Sequence, residues 1–294
     1  MIRLCVVCRG TRYFLEPLVT HWKGKYEFVG LARADVVWVE WANEQVVLIS
    51  QATQKRNVVC RILGSEYYQN FWKSADVNKI FAFASENPEY QLPGFPVRYI
   101  PEPIDTEFWK SDASVKRVNR LVLVGGYIYS KNALGLLRLI AEDPKFFDEV
   151  VIVGDMDPPD VDGKITVKKI MRQLEWYAIE YKISLTLLNK KTREEMREIY
   201  RSSSVVVTTS FNEGCQTCIQ EAMSCGTSVL VQDWMGASGI FPRETIFSTA
   251  SEFWNRLHTL PRGETMRSYA QSKFSQEVVF PQIDSLIEQA ADCK

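Results

Sequence analysis

Short apolar runs, each too brief to be a buried helix, recur along this chain in two series interleaved with helical patterns. Most are rich in β-branched or aromatic residues. That alternation admits few architectures: parallel sheets built from βαβ units, with helices covering the faces. The first series is IRLCVV (2–7), YEFVGLA (26–32), DVVWVEW (35–41), NVVCRIL (57–63), KIFAFAS (79–85) and VRYIP (97–101). The second is RLVLVGG (120–126), EVVIVG (149–154), SLTLL (184–188), SVVVTTS (204–210) and SVLVQDW (228–234). Between them, residues 86–118 carry five clustered prolines and then a polar stretch, the mark of a boundary. The expected fold is α/β, two Rossmann-like domains facing a cleft, with ligands at the carboxyl ends of the strands. The domains are 1–105 and 106–274. A terminal helix within 275–294 has an apolar face fitted to cross back onto the first domain, and Pro281 is expected to kink or divide it.

Charge and composition narrow the function. Lys and Arg number 35 against 36 Asp and Glu, so no global positive field points to nucleic acid or an anionic membrane. An apolar fraction of 46% excludes wholesale disorder. The amino terminus reads as a buried first strand without a cleavable leader. No run of about 18 or more apolar residues suggests a transmembrane segment. Seven cysteines, several in apolar strands, fit free thiols, and a cytoplasmic location is expected. Cys215 and Cys218 have C-x-x-C spacing but lack a second ligand pair or a thioredoxin-like context. With only His21 and His258, neither in a recognisable motif, histidine-based catalysis has little to draw on.

The informative stretch runs from Ser210 to Pro242. It leaves the carboxyl end of a strand, passes through a polar loop with Glu213 and Gly214, and enters a helix whose first turns hold Thr217 to Glu221. A glycine ahead of a helix lets backbone amides approach a phosphate, and the helix N-terminus favours its negative charge. A glutamate inside the helix can then accept from ribose hydroxyls, and one on the loop lies nearer whatever the phosphates carry.

The segment E-G-C-Q-T-C-I-Q-E-A-M-S-C-G-T-S-V resembles the donor signature of retaining group-1 (family 4-like) glycosyltransferases with the GT-B fold, E-G-x-G-x-x-x-x-E-A-M-A-x-G-x-P-V. Glu213, Gly214, Glu221, Ala222, Met223, Gly226 and Val229 match, while Gln216 stands at the second loop glycine. The following QDWMGASG resembles a Trp-x-Gly-Ala subset. LVLVGGYIYSKNALGLL is similar to the family's V-G-R-x-x-x-x-K-G, placing Lys131 on the diphosphate lysine and Gly126, after Gly125, on the arginine. In the first domain, Arg61 and Glu66 match R-L-H-x-Y-E, with Leu63 at the histidine.

The resemblance implies an enzyme, a hexosyl- or related transferase that moves a sugar from a nucleotide-sugar donor to an acceptor hydroxyl. The acceptor class (glycan, lipid, protein or nucleic acid) is left open. Catalytic roles fall on Glu213, Lys131 and Glu66, with Glu40 as an alternative to Glu66. The donor would be held by Gly125, Gly126, Lys131, Gly214, Cys215, Gln216, Thr217 and Glu221. Residues 106–274 would be the donor domain and 1–105 the acceptor side. No metal or other cofactor is needed, and Asp155 and Asp157 read as a turn. Lacking the arginine and the histidine, the chain has two alternatives: a weakened nucleotide-sugar binder, or a transferase acting on modified DNA.

Overall fold

A computed structural model describes residues 1–8, 15–41, 43–54, 57–62, 67, 69–158 and 161–293. The chain divides into two compact units, Met1–Pro103 with Lys273–Lys294, and Ile104–Ser272.

In the first unit, β1 (Arg3–Cys8), β2 (Glu27–Phe28), β3 (Val36–Glu40), β4 (Val58–Ile62), β5 (Ile80–Ser85) and β6 (Val97–Tyr99) form one all-parallel sheet, ordered β2-β1-β3-β4-β5-β6. Strand alternation sends Leu4, Trp38, Val59 and Ala82 to one face, against α1 (Leu15–Trp22). Val37, Val39, Cys60 and Phe83 go to the other face, which α2 (Glu44–Ala52) covers. Both faces are covered, which is why these strands read as nearly continuous apolar runs. The run expected at 26–32 contributes only the two-residue edge strand β2, whose residues are exposed.

In the second unit, β7 (Val118–Val124), β8 (Glu149–Gly154), β9 (Leu185–Asn189), β10 (Ser203–Thr208), β11 (Ser228–Gln232) and β12 (Ile246–Phe247) are also all parallel. Their order is β12-β11-β10-β7-β8-β9. Counted from β7, this is the 3-2-1-4-5-6 order of the dinucleotide-binding fold, with its switch point between β7 and β10. Helices α3 (Ala133–Ile140), α4 (Val161–Tyr181), α5 (Arg193–Ser202), α6 (Thr217–Ser224), α7 (Ala237–Ile240) and α8 (Ala250–Leu257) flank the sheet. One face buries Leu121, Leu123, Ile152, Val205, Val207 and Leu230 against α3, α4 and α8. The short edge strand β12 has no counterpart among the expected runs, because two residues show no periodicity to read.

The chain ends in α9 (Glu264–Phe274) and α10 (Gln276–Asp292). Helix α10 packs on the first unit, burying Val279, Ile283, Leu286, Ile287 and Ala290 beside Leu4, Leu18 and Trp22. It runs unbroken through Pro281, and the division falls at Ser275 instead. One missing amide near the start of a long helix is outweighed by that buried apolar face. Asp284 fastens α10 by accepting from Lys25 Nζ (2.7 Å), His21 Nε2 (2.8 Å) and Tyr26 Oη (3.2 Å). Burial pushes the Asp284 carboxyl up, but the bonds from Lys25 and His21 outweigh it and hold the group below its ordinary value. His21 also stacks on Phe280 at 4.2 Å, which packs α1 against α10.

Candidate active site

At the switch point of the second unit, the loops after β7 and β10 leave the sheet side by side. Gly125 adopts φ +79, which a side chain disfavours, and turns the chain sharply out of β7. Gly125 N donates to Val153 O at 2.7 Å. A short 3₁₀ turn, Tyr129–Lys131, follows, and Asn132 caps α3 by accepting from Gly135 N at 3.2 Å. From the neighbouring loop, Thr209 Oγ1 donates to Lys131 O (2.8 Å) and Asn132 O (3.0 Å), and Phe211 N donates to Ser130 O (3.2 Å). These bonds fix the backbone on which both Lys131 and Glu213 stand. Their side chains meet as an ion pair, with side-chain exposures of 25% and 14%.

Helix α6 begins just beyond. Its first amides have no acceptor within the helix and carry the positive end of its dipole. Gln216, the residue ahead of it, is buried and donates through Nε2 to Thr208 Oγ1 (2.6 Å) and Ser210 Oγ (3.0 Å). Its side chain therefore braces the loop from beneath. Glu221 lies one turn further along α6, buried, and its Oε2 accepts from Tyr200 Oη of α5 at 3.3 Å. Burial, then the Glu221 charge, drives the Tyr200 phenol well above its ordinary value, so it stays a donor. Burial also pushes the Cys218 thiol up to about 12, protonated at neutral pH. All seven cysteines are free thiols.

The structure thus brings Gly125, Gly126, Lys131, Glu213, Gly214, Cys215, Gln216, Thr217 and Glu221 to one end of one sheet. Glu66 and Leu63 lie outside the described residues. Glu40 lies in the first unit, only 1% exposed, accepting from Trp38 Nε1 at 2.8 Å and paired with Arg61 at 3.5 Å. It is a structural carboxylate. Asp155 and Asp157 pair with different lysines, Lys190 and Lys164, within a turn. Among the described residues, no group of three or more His, Cys, Asp or Glu could hold a metal. Thr209 and Tyr200, which position the lysine and the helical glutamate, carry no sequence signal: their role exists only through strand and helix adjacency.

Gly126 explains the missing arginine. A Cβ there would overlap Ile152 Cγ2 and lie 2.8 Å from Leu123 Cδ2, both in the core. Tyr127, beside it, is buried and donates to Ile152 O (3.0 Å) and Leu188 O (3.1 Å). Gly126→Arg is expected to lower stability by about 1–3 kcal/mol through overpacking and to bring no gain in nucleotide affinity. Thermal unfolding and calorimetric titration check both halves.

Residues 118–253 match the family profile described as glycosyl transferases group 1. No curated protein sequence matches the chain. Among solved structures, Anabaena HepE in complex with UDP aligns with a TM-score of 0.73 at 14% identity, covering 98% of this chain and all of that one. A glycosyltransferase from Rickettsia africae aligns with a TM-score of 0.72 at 10% identity, covering 100% and 99%. Sucrose-phosphate synthase from Thermosynechococcus elongatus aligns with a TM-score of 0.67 at 19% identity, covering 95% and 77%. Two all-parallel Rossmann-like units, with these likenesses across both, make the fold GT-B, and residues 118–253, just under half of the chain, carry the match to the group 1 glycosyl transferase profile.

Proposed function

We propose that the chain is a retaining, metal-independent glycosyltransferase of the Trp-x-Gly-Ala subset. It would move a hexosyl or related group from a uridine diphosphate sugar to an acceptor hydroxyl. The observation that carries this reading is the meeting of Lys131 and Glu213 at the β7/β10 switch point, beside the start of α6. HepE's complexes with UDP and with UDP and glucose support the choice of donor. The free thiols suit a cytoplasmic setting.

In this scheme the diphosphate takes Lys131 away from Glu213 and lies against the first amides of α6. Glu221, already held by Tyr200, accepts from the ribose hydroxyls. Glu213, released from the lysine, orients the sugar. The acceptor oxygen bonds to the anomeric carbon on the face from which the diphosphate departs. The bond from that carbon to the phosphate oxygen breaks, and the acceptor proton passes to the leaving phosphate. Lys131 and the α6 amides carry the charge that develops there.

Because Glu213 competes with the diphosphate for Lys131, its removal separates binding from transfer. Glu213→Gln is expected to bind UDP about tenfold more tightly, equivalent to about 1.4 kcal/mol, while transferring sugar far more slowly. Calorimetry with UDP, and release of UDP from a radiolabelled sugar nucleotide, measure the two effects. The anomeric configuration of the product tests retention. Wild-type protein that binds UDP but never releases it from the sugar nucleotide would overturn the transferase reading. Unaltered UDP affinity in both Lys131→Ala and Glu221→Ala would remove the donor site itself.

A further inference from the structure

Helix α4 carries a feature that the donor site leaves unused. Its core side is Val167, Ile170, Leu174 and Ala178, all buried in the second unit. On the opposite side, Ile165, Trp176 and Ile179 are 47%, 58% and 79% exposed. Lys168, Lys169 and Arg172 are exposed among them. At about 100° per residue, all six fall within an arc of about 100°, centred opposite the buried face. The acidic neighbours Asp162, Glu175 and Glu180 fall outside that arc. Among the described residues, none of the three cations forms an ion pair; the nearby Lys164 is taken by Asp157.

Ile165, Trp176 and Ile179 turn largely to water opposite a complete core contact, and the ring contact of Trp176 with Tyr177 (4.9 Å) is with its neighbour on the same helix. The line they form is straight and convex, about 21 Å long from Ile165 to Ile179 at 1.5 Å per residue. A convex ridge of apolar residues interleaved with cations suits a flat, deformable, negatively charged surface. On such a surface Trp and Ile enter the headgroup boundary, and lysine and arginine stems lie along it with their charges outward. We propose that the outer face of α4 docks the protein on the surface of an anionic lipid bilayer. The contact is peripheral: among the described residues, no helix is long and apolar enough to cross a membrane. The near-neutral total charge does not reveal this face, because three of the 35 basic residues suffice to form it. The inference does not depend on the donor reading.

Vesicle flotation with the full chain tests it. Phosphatidylcholine vesicles are compared with vesicles containing about a third phosphatidylglycerol, where each basic residue adds electrostatic attraction. Wild-type protein is expected to float with the anionic vesicles and not with the neutral ones, and to be released by raised salt. The pair Lys168→Glu with Arg172→Glu is expected to weaken partitioning about tenfold or more. Trp176→Ser with Ile179→Ser is expected to weaken it while leaving the salt dependence in place. Both pairs face solvent, so unchanged thermal midpoints check that they fold. Quenching of tryptophan fluorescence by brominated lipid, reduced in Trp176→Phe, checks that this face makes the contact. Equal partitioning into both vesicle types, or charge-reversed protein that floats as well as wild type, would overturn the proposal. So would self-association or acidic-protein binding lost in these variants without any vesicle binding.

Discussion

Lys131→Ala is expected to lower kcat by about 100- to 1,000-fold, the usual cost of removing one preorganised group facing a leaving charge. The lysine stem runs over Gly125, where a Cβ would sit 3.3 Å from Lys131 Cε, so its ammonium is held close to the switch point. The amides of α6 remain in the variant and preserve part of the donor affinity, so KM should change less than kcat. Lys131→Arg is not expected to restore the rate, because a planar fork does not fit a site built around a compact ammonium. The Lys131–Glu213 pair is partly exposed, and its loss should alter stability by no more than about 1 kcal/mol. Steady-state kinetics alongside thermal unfolding measures both quantities. A kcat within a few-fold of wild type would assign the leaving charge to another group.

The second large effect concerns stability. Arg61 on β4 is surrounded by Glu40, Glu86 and Glu102, and none of the four residues is more than 5% exposed. Its Nε lies 3.5 Å from Glu40 Oε1, its Nη2 donates to Glu86 Oε1 at 3.0 Å, and it also pairs with Glu102. Breaking a buried charge pair by removing one partner costs about 3–5 kcal/mol, because the other charge is left without compensation. Here three carboxylates lose the same guanidinium. Arg61→Leu is therefore expected to lower the thermal midpoint by about 10 °C or more at neutral pH. Thermal unfolding of wild type and variant at neutral pH tests this. A midpoint within about 2 °C of wild type would overturn it.

Arg61 also shows where reading the sequence stopped. Its place in a strand was legible from NVVCRIL, yet its partner Glu40 lies on the adjacent strand, opposite it in the parallel register. Nothing in either run announces that pairing. Glu40 accordingly appeared as a candidate for orienting an acceptor, whereas it is buried and hydrogen-bonded by Trp38. The first sheet's runs were legible because burial on both faces demands unbroken apolar sequence. The two-residue edge strands were not, because they bury too little to impose a pattern: β2 was overestimated and β12 missed. The division expected at Pro281 falls at Ser275 instead, because tertiary burial of α10 outweighs local propensity.

Local chemistry decided what could be read directly. Apolar periodicity determines strands and helices, and Glu213, Gly214 and Glu221 sit at a fixed spacing along one loop and one helix, so the sequence alone places them. Lys131 is a different case: it is 82 residues from Glu213, and their contact follows from β7 and β10 being neighbours. Strand order depends on which crossovers bury the most surface, and no single segment encodes it. The same holds for Gly126, whose missing side chain looks like a lost arginine until Ile152 and Leu123 are found in its place. The sequence by itself determined the two series of parallel strands and the spacing of Glu213, Gly214 and Glu221. The tertiary structure alone decided which distant side chains meet, because contact energies act between neighbours in space and not along the chain.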